Sequence, residues 1–182
     1  MRHPVVTISN GLSALRVLLI IPIALYLNSP ETRFVALGLI LVAVATDLLD
    51  GYIARKLGEV TELGKILDPV ADKLAVAFVS LILALQQRIP WWFFAIAVVR
   101  DILIFCGGVL LRRKRGVTLQ SNLIGKWTVT VVAAFLVVTI LNEPYLSALQ
   151  TMFLFASVVM LLVSFISYAI RFRTVVLANA LS

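Results

Sequence analysis

The chain has 182 residues, of which 62% are hydrophobic, and its mean hydropathy is +1.06. Soluble domains are about 45–50% apolar, so a soluble protein of this length could not bury so much apolar surface. The formal charge of +7 comes from 16 Lys+Arg against 9 Asp+Glu. The basic residues lie mostly between apolar runs, which is typical of a membrane protein facing anionic lipid and does not favour a nucleic-acid partner.

Six apolar segments are long enough to cross a bilayer as helices, which takes about 20 residues. They cover residues 8–28, 33–56, 66–87, 90–112, 119–141 and 146–171. Short linkers separate them, so consecutive helices are expected to be antiparallel neighbours. We therefore predict an all-α polytopic membrane protein with six transmembrane helices in one bundle, and a single domain over residues 1–182.

The first segment resembles a signal peptide, but Arg16 interrupts it and no clear small-residue cleavage site follows, so we interpret it as a retained helix. Most basic residues fall on one side of the predicted membrane, whereas Arg33 and Arg88 fall on the other. Cytoplasmic loops carry an excess of Lys and Arg. We therefore expect an integral protein of the bacterial inner membrane, with both termini and the polar helix ends facing the cytoplasm.

Four aspartates lie where lipid is expected. Asp47 and Asp50 fall near the cytoplasmic end of the second segment, and Asp68 and Asp72 fall near the start of the third, which is the same end. A charge at the centre of a membrane helix costs about 2.5–3.5 kcal/mol. Solvation of a helix end is the alternative explanation, but packing alone does not compensate for four carboxylates.

The spacing of these aspartates predicts a metal site. The pairs are three and four residues apart, so each pair shares one helix face. An all-carboxylate site favours Mg²⁺, Mn²⁺ or Ca²⁺ over zinc. Four carboxylates can hold two divalent ions, the arrangement used for phosphoryl transfer.

The residues beside the aspartates are suited to a phosphate ligand. Gly51 and Ala54 remove bulk, so that a ligand can approach the backbone closely. Arg55 offers a planar fork that matches a pyrophosphate. The alternatives are helix packing through small residues, a basic anchor at the membrane surface and, for Gly64, a simple turn.

Residues 47–55 read D-L-L-D-G-Y-I-A-R and, after eight further residues, 64–72 read G-K-I-L-D-P-V-A-D. This pattern resembles the signature of the CDP-alcohol phosphotransferase family. All of its fixed positions are filled, by Asp47, Asp50, Gly51, Ala54, Arg55, Gly64, Asp68 and Asp72. The six-helix plan of that family also covers nearly the whole chain.

The resemblance implies a transferase that moves a phosphatidyl or related group from a CDP-linked donor to an acceptor hydroxyl and releases CMP. The implied donor is CDP-diacylglycerol, and the implied cofactors are two divalent cations, Mg or Mn. By this resemblance Asp47, Asp50 and Asp68 hold the ions. Asp72 completes the metal site and acts as the general base on the acceptor hydroxyl.

The resemblance also implies a donor site that includes Gly51, Ala54, Arg55, Thr61 and Gly64. Residues 8–16, I-S-N-G-L-S-A-L-R, resemble the start of the phosphatidylglycerophosphate synthase and cardiolipin synthase branch. In that branch the polar start of the first helix lies against the nucleotide. Asn10 is therefore a further candidate contact, and a simple helix cap is its alternative role.

We expect basic residues to recognise the acceptor. The candidates are Arg100, Lys126 and Arg112. Gly125-Lys126 matches the phosphatidylglycerophosphate synthases, whose acceptor is glycerol 3-phosphate. Arg100-Asp101 departs from their Arg-Glu and resembles cardiolipin synthases, whose acceptor is phosphatidylglycerol. Alternatively, Arg100 and Asp101 compensate charge locally, each pairing elsewhere because adjacent helical residues diverge.

Intramembrane carboxylates also occur in ion-coupled transporters. The aspartates here sit at one end of their helices instead of being strung across the bilayer, and no inverted repeat is visible, so we prefer the enzyme. Because family members are often homodimers, we also expect a homodimer.

Overall fold

The computed structural model describes the backbone of residues 8–57, 64–115 and 123–178, and the side chains of residues 18–29, 31–46, 73–113 and 123–176. The described backbone is helical and contains no strand, which confirms the all-α prediction. Its helices are α1 Ile8–Leu27, α2 Arg33–Leu57, α3 Gly64–Leu85, α4 Trp91–Arg115, α5 Leu123–Leu141 and α6 Ser147–Ala178. Two 3-10 turns, Pro30–Thr32 and Pro144–Leu146, precede α2 and α6.

Three stretches are long and apolar enough to cross a membrane, judged by length and composition: Trp91–Arg113, Leu123–Leu141 and Pro144–Val176. In the first three helices the described side chains form shorter apolar stretches: Leu18–Leu27, Arg33–Thr46 and Lys73–Leu85. These helices are consistent with a membrane protein. Six membrane spans in one bundle stay a prediction.

The chain divides into two compact units, Met1–Gln87 and Arg88–Ser182. In the first unit, α1 packs against both α2 and α3. Thr32 Oγ1 donates a hydrogen bond of 2.7 Å to the Tyr26 carbonyl, which fastens the short turn between α1 and α2. Consecutive helices are thus antiparallel neighbours at this turn, as the short linker predicted.

A second contact joins α3 to α1. Gln86 Nε2 lies just beyond α3 and donates to the Leu27 carbonyl at 3.0 Å and to Asn28 Oδ1 at 3.3 Å. The C-terminal ends of α1 and α3 and the start of α2 therefore meet at one end of the first unit. Leu27 and Leu83 are almost completely buried near this end.

In the second unit, α6 packs against both α4 and α5. Thr128 Oγ1 on α5 donates to the Met160 carbonyl at 3.1 Å, and Ser157 Oγ on α6 donates to the Val131 carbonyl at 3.4 Å. From Thr128 to Val131 the residue numbers rise along α5, whereas their partners on α6 fall from Met160 to Ser157. The two helices are therefore antiparallel. Both hydroxyl residues are fully buried and use helix carbonyls as partners, as small polar residues do between membrane helices.

Arg88 binds the C-terminal end of α5. Its Nη2 donates to the carbonyls of Thr139 and Ile140, at 2.7 and 3.1 Å. Gln150 Nε2 on α6 donates to the Arg88 carbonyl at 3.3 Å. The last carbonyls of a helix have no partner inside the helix, and a cation also interacts favourably with the negative end of the helix dipole. Arg88 therefore joins α5, α6 and the start of α4 at one end of the second unit.

We expect Arg88→Met to destabilise the second unit, because it leaves two carbonyls at the end of α5 without their donor. Hydrogen bonds with a charged partner contribute about 1.5–3 kcal/mol, so the melting temperature in detergent should fall by several degrees. The control is Arg113→Met, which removes an exposed arginine of α4. Equal melting temperatures for the two variants would contradict the capping role.

Candidate active site

The residues of the motif fall on helices of the first unit. The C-terminal half of α2 carries five of them: Asp47, Asp50, Gly51, Ala54 and Arg55. The first three turns of α3 carry Gly64, Asp68 and Asp72, and the first turn of α1 carries Asn10. Thr61 lies outside the described residues, and so do the side chains of all the others.

The helix bounds give the distance of each of these residues from one end of its helix. An α-helix rises 1.5 Å per residue, so Asp47 and Asp50 lie about 21 and 26 Å from the start of α2. Asp72 and Asp68 lie about 20 and 26 Å from the C-terminal end of α3, and Asn10 lies about 26 Å from that of α1. Counted in this way, the five residues lie about 20–26 Å along their helices from the three helix ends that meet.

Among the described side chains, no group of three or more His, Cys, Asp or Glu residues could hold a metal ion. The side chains of the four motif aspartates are not among the described ones. The two-metal site therefore stays a prediction from the sequence.

Arg100 lies in the middle of α4 and is held by two side chains. Its Nη1 donates to Asp101 Oδ1 at 2.5 Å, and its Nη2 donates to the hydroxyl of Ser164 on α6. The Arg100 side chain is 12% exposed and the Asp101 side chain is 34% exposed. The expectation that these adjacent residues diverge and pair elsewhere is wrong for Arg100, whose long side chain reaches its neighbour's carboxylate. Local charge compensation itself is confirmed, as expected where an unpaired charge is costly.

The other two acceptor candidates lie at the opposite end of the second unit from Arg88. Arg112 belongs to the last turn of α4 and Lys126 to the first turn of α5. Both side chains are exposed. The structure therefore places Arg112 and Lys126 at one end of the unit and Arg100 nearer its middle.

No site residue was predicted on α6, although this helix supplies Ser164 as a partner of Arg100. Tyr168 follows one turn later and shares that face of the helix. Its ring touches α4, where a Cβ built at Gly107 would lie 3.3 Å from the Tyr168 Cε1 atom. Ser164, Ser167 and Tyr168, spaced three and four residues from Ser164 in a mostly apolar segment, were the signal that could have identified this face.

The sequence profile of one family matches almost the entire chain. The family is described as CDP-alcohol phosphatidyltransferase, and the match covers residues 6–176. The chain belongs to this family. The resemblance drawn from residues 47–72 is therefore confirmed, and with it a transferase of phospholipid biosynthesis in place of a transporter.

Curated relatives bear two kinds of name. The chain is similar to the CDP-diacylglycerol–glycerol-3-phosphate 3-phosphatidyltransferase of Aquifex aeolicus, at 35% identity over 90% of this chain and 94% of the relative. The same name belongs to a relative from Pseudomonas fluorescens, at 43% identity over 53% of this chain and 52% of the relative. A provisionally named cardiolipin synthase of Mycobacterium bovis is 31% identical over 69% of this chain and 60% of its own length.

We expect Asp101→Asn to destabilise the fold, because it removes the negative charge that faces the mostly buried Arg100. A loss of about 2 kcal/mol is expected for a hydrogen bond between charged groups, seen as a lower melting temperature in detergent. Glu31→Asn serves as the control, since it removes an exposed carboxylate in the first unit. If both variants melt like the wild type, the pair does not stabilise the helix.

Proposed function

We propose that this protein transfers a phosphatidyl group from CDP-diacylglycerol to glycerol 3-phosphate and releases CMP. The observation that carries the proposal is the similarity to the relative from Aquifex aeolicus, which extends over nearly the full length of both chains. The name of that relative specifies this donor and this acceptor. Gly125-Lys126, which matches the pattern of such enzymes, supports the same acceptor.

A second candidate is cardiolipin synthesis, with phosphatidylglycerol as the acceptor. Two observations favour it: the similarity to the mycobacterial relative and the Arg100-Asp101 sequence. The donor, the leaving group and the transferred group are the same in both reactions. The two candidates therefore differ only in the alcohol that attacks.

The four carboxylates of Asp47, Asp50, Asp68 and Asp72 are suitable ligands for two divalent cations, Mg²⁺ or Mn²⁺. The support is chemical and comes from the sequence: four carboxylates are hard oxygen ligands, and they lie in two pairs on α2 and α3 of the first unit. Bound cations would neutralise charge on the diphosphate and on the departing CMP.

Asp72 also acts as the general base. Its carboxylate accepts the proton of the acceptor hydroxyl as that oxygen bonds to the phosphorus of the phosphatidyl group. The bond between this phosphorus and the CMP oxygen breaks, and CMP leaves with the electron pair. A carboxylate can do this only within hydrogen-bond reach of the attacking hydroxyl, so Asp72 also orients the acceptor.

The donor contacts lie on the same helices as the aspartates. Close approach of the diphosphate suits the small residues, and its charge suits a guanidinium. The proposed contacts are Asn10, Gly51, Ala54, Arg55, Thr61 and Gly64. For the acceptor, the proposed contacts are the cations Arg100, Lys126 and Arg112, because an acceptor that carries a phosphate requires positive charge.

We further propose a single six-helix membrane domain in the bacterial inner membrane, with its active site and termini facing the cytoplasm. One family profile spans both units, which supports a single domain. The excess of basic residues at one set of helix ends supports the orientation. We also propose a homodimer, because members of the family are often homodimers.

The test of function is a panel of acceptors, incubated with purified protein, labelled CDP-diacylglycerol and Mg²⁺ or Mn²⁺. We expect CMP release and a lipid product with the mass of phosphatidylglycerol plus one phosphate when glycerol 3-phosphate is present. Omission of the cation should abolish both. Cardiolipin as the main product, formed from phosphatidylglycerol, would establish the second candidate instead.

We predict that Asp72→Asn abolishes transfer with only a modest effect on donor binding, because the amide cannot accept the proton. Turnover should fall at least about a hundredfold, as for loss of a general base. Turnover is measured by CMP release, and donor binding by the CDP-diacylglycerol concentration that protects the variant against heat. Near-normal turnover in this variant would contradict the role of Asp72.

A further inference from the structure

Three exposed arginines lie at one end of the second unit. Arg113 belongs to the last turn of α4, and Arg171 and Arg173 lie near the C-terminal end of α6. Within the described part of the chain, no hydrogen bond or ion pair engages any of these three side chains. They therefore do not serve the packing of the unit. We refer to these three residues as the basic end.

The contacts between α4 and α6 put the three arginines at one level. Arg100 contacts Ser164, and seven residues later Gly107 faces the ring of Tyr168, four residues after Ser164. Residue numbers rise together along the two helices, so α4 and α6 are parallel. Arg113 is therefore level with the turn of α6 that follows its second arginine. At a rise of 1.5 Å per residue, the three arginines lie within about 9 Å of one another along the helix axis.

Exposed apolar side chains lie directly before the basic end on both helices. Leu110 of α4 is 50% exposed, and Ile166 and Ile170 of α6 are 56% and 61% exposed. Both helices are long and apolar enough to cross a membrane. Such side chains face lipid tails, and the arginines begin where the exposed apolar surface ends. The basic end therefore lies at the level of the lipid headgroups, where the phosphate groups are.

The opposite end of the unit presents different side chains. Trp91, Trp92 and Tyr145 are exposed there, at 50%, 48% and 78%. Tryptophan and tyrosine are typical of a membrane–water interface and carry no charge. Arg88 lies at this end too, but its guanidinium binds carbonyls of α5. Among the described residues of this unit, arginines that are exposed and not engaged by the protein are therefore found only at the basic end.

We propose that the basic end is a binding surface for anionic phospholipids, which it recognises by the headgroup phosphate and by net negative charge. A guanidinium presents a planar fork of donors that matches phosphate oxygens, and arginine is always charged. A zwitterionic headgroup carries an amine that cancels the charge of its phosphate, so it binds more weakly. The bound lipid stabilises the folded protein. This inference concerns binding, and it does not depend on the proposed transfer reaction.

The test measures the melting temperature of the purified protein in a neutral detergent while dioleoyl-phosphatidylglycerol or dioleoyl-phosphatidylcholine is added. At low salt, phosphatidylglycerol should raise the melting temperature of the wild type at a lower concentration than phosphatidylcholine, because a ligand of the folded state stabilises it. At about 1 M salt the difference between the two lipids should disappear, because the charges are screened.

The variant Arg171→Gln/Arg173→Gln should need about 20-fold more phosphatidylglycerol for the same shift, since each basic residue near anionic lipid contributes about fivefold to binding. Its response to phosphatidylcholine should equal that of the wild type. The matched variant Arg171→Lys/Arg173→Lys keeps both charges and should retain most of the preference. Arg33→Gln, which removes a cation at the start of α2, should respond like the wild type.

Equal stabilisation of the wild type by the two lipids at low salt would overturn the proposal, and so would an unchanged preference in Arg171→Gln/Arg173→Gln. The two lipids are compared within each protein, so a variant with a lower melting temperature before lipid is added still gives a decisive result. Inorganic phosphate that stabilises the wild type as well as phosphatidylglycerol does would assign the surface to a soluble anion and overturn the proposal. No turnover is measured, so failure here leaves the proposed function intact.

Discussion

Arg100 lies in the middle of a helix apolar enough to cross a membrane, and its guanidinium is bound by Asp101 and Ser164. A charge in such surroundings needs an opposite charge and hydrogen-bond acceptors close by, because lipid supplies neither. Asp101 provides the charge from the same helix, and Ser164 ties the group to α6. The packing of α4 against α6 is therefore linked to the solvation of one cation.

The same constraint explains the polar contacts in the rest of the second unit. Thr128 and Ser157 use carbonyls of the facing helix, and Arg88 uses the last carbonyls of α5. Each contact gives a polar group a hydrogen-bond partner, which lipid tails cannot provide. Helix association among apolar residues is weak in a membrane, so such contacts determine which helices pair and in what register.

Much of the fold could be predicted, because hydropathy and helix breakers are local. The predicted segments begin or end within a few residues of the observed helices. The largest difference is α6, which continues to Ala178 and not to residue 171. Arg171 and Arg173 end the apolar run but not the helix, since long basic side chains can extend to the membrane surface while the backbone stays helical. The family motif was also predictable, because fixed spacings within two helices identify it.

The contacts of the second unit could not be predicted in the same way. The Arg100–Ser164 bond joins residues 64 positions apart, and it depends on the register of α4 against α6. No pattern within either helix defines that register. The same holds for the Tyr168 ring over Gly107, where one element supplies the space and another fills it. Contacts between distant helices are thus harder to predict than a motif that lies within two helices.

The hydrogen bonds of Arg88 also have a consequence for biogenesis. Arg88 emerges from the ribosome 51 residues before Thr139, the first of its two carbonyl partners. When Arg88 leaves the ribosome, the helix end that binds its guanidinium has not yet emerged. Until α5 is complete, the Arg88 guanidinium is solvated by water or lipid headgroups. The contacts that join Arg88 to α5 therefore form late, and a chain interrupted before α5 leaves this cation without its two carbonyl partners.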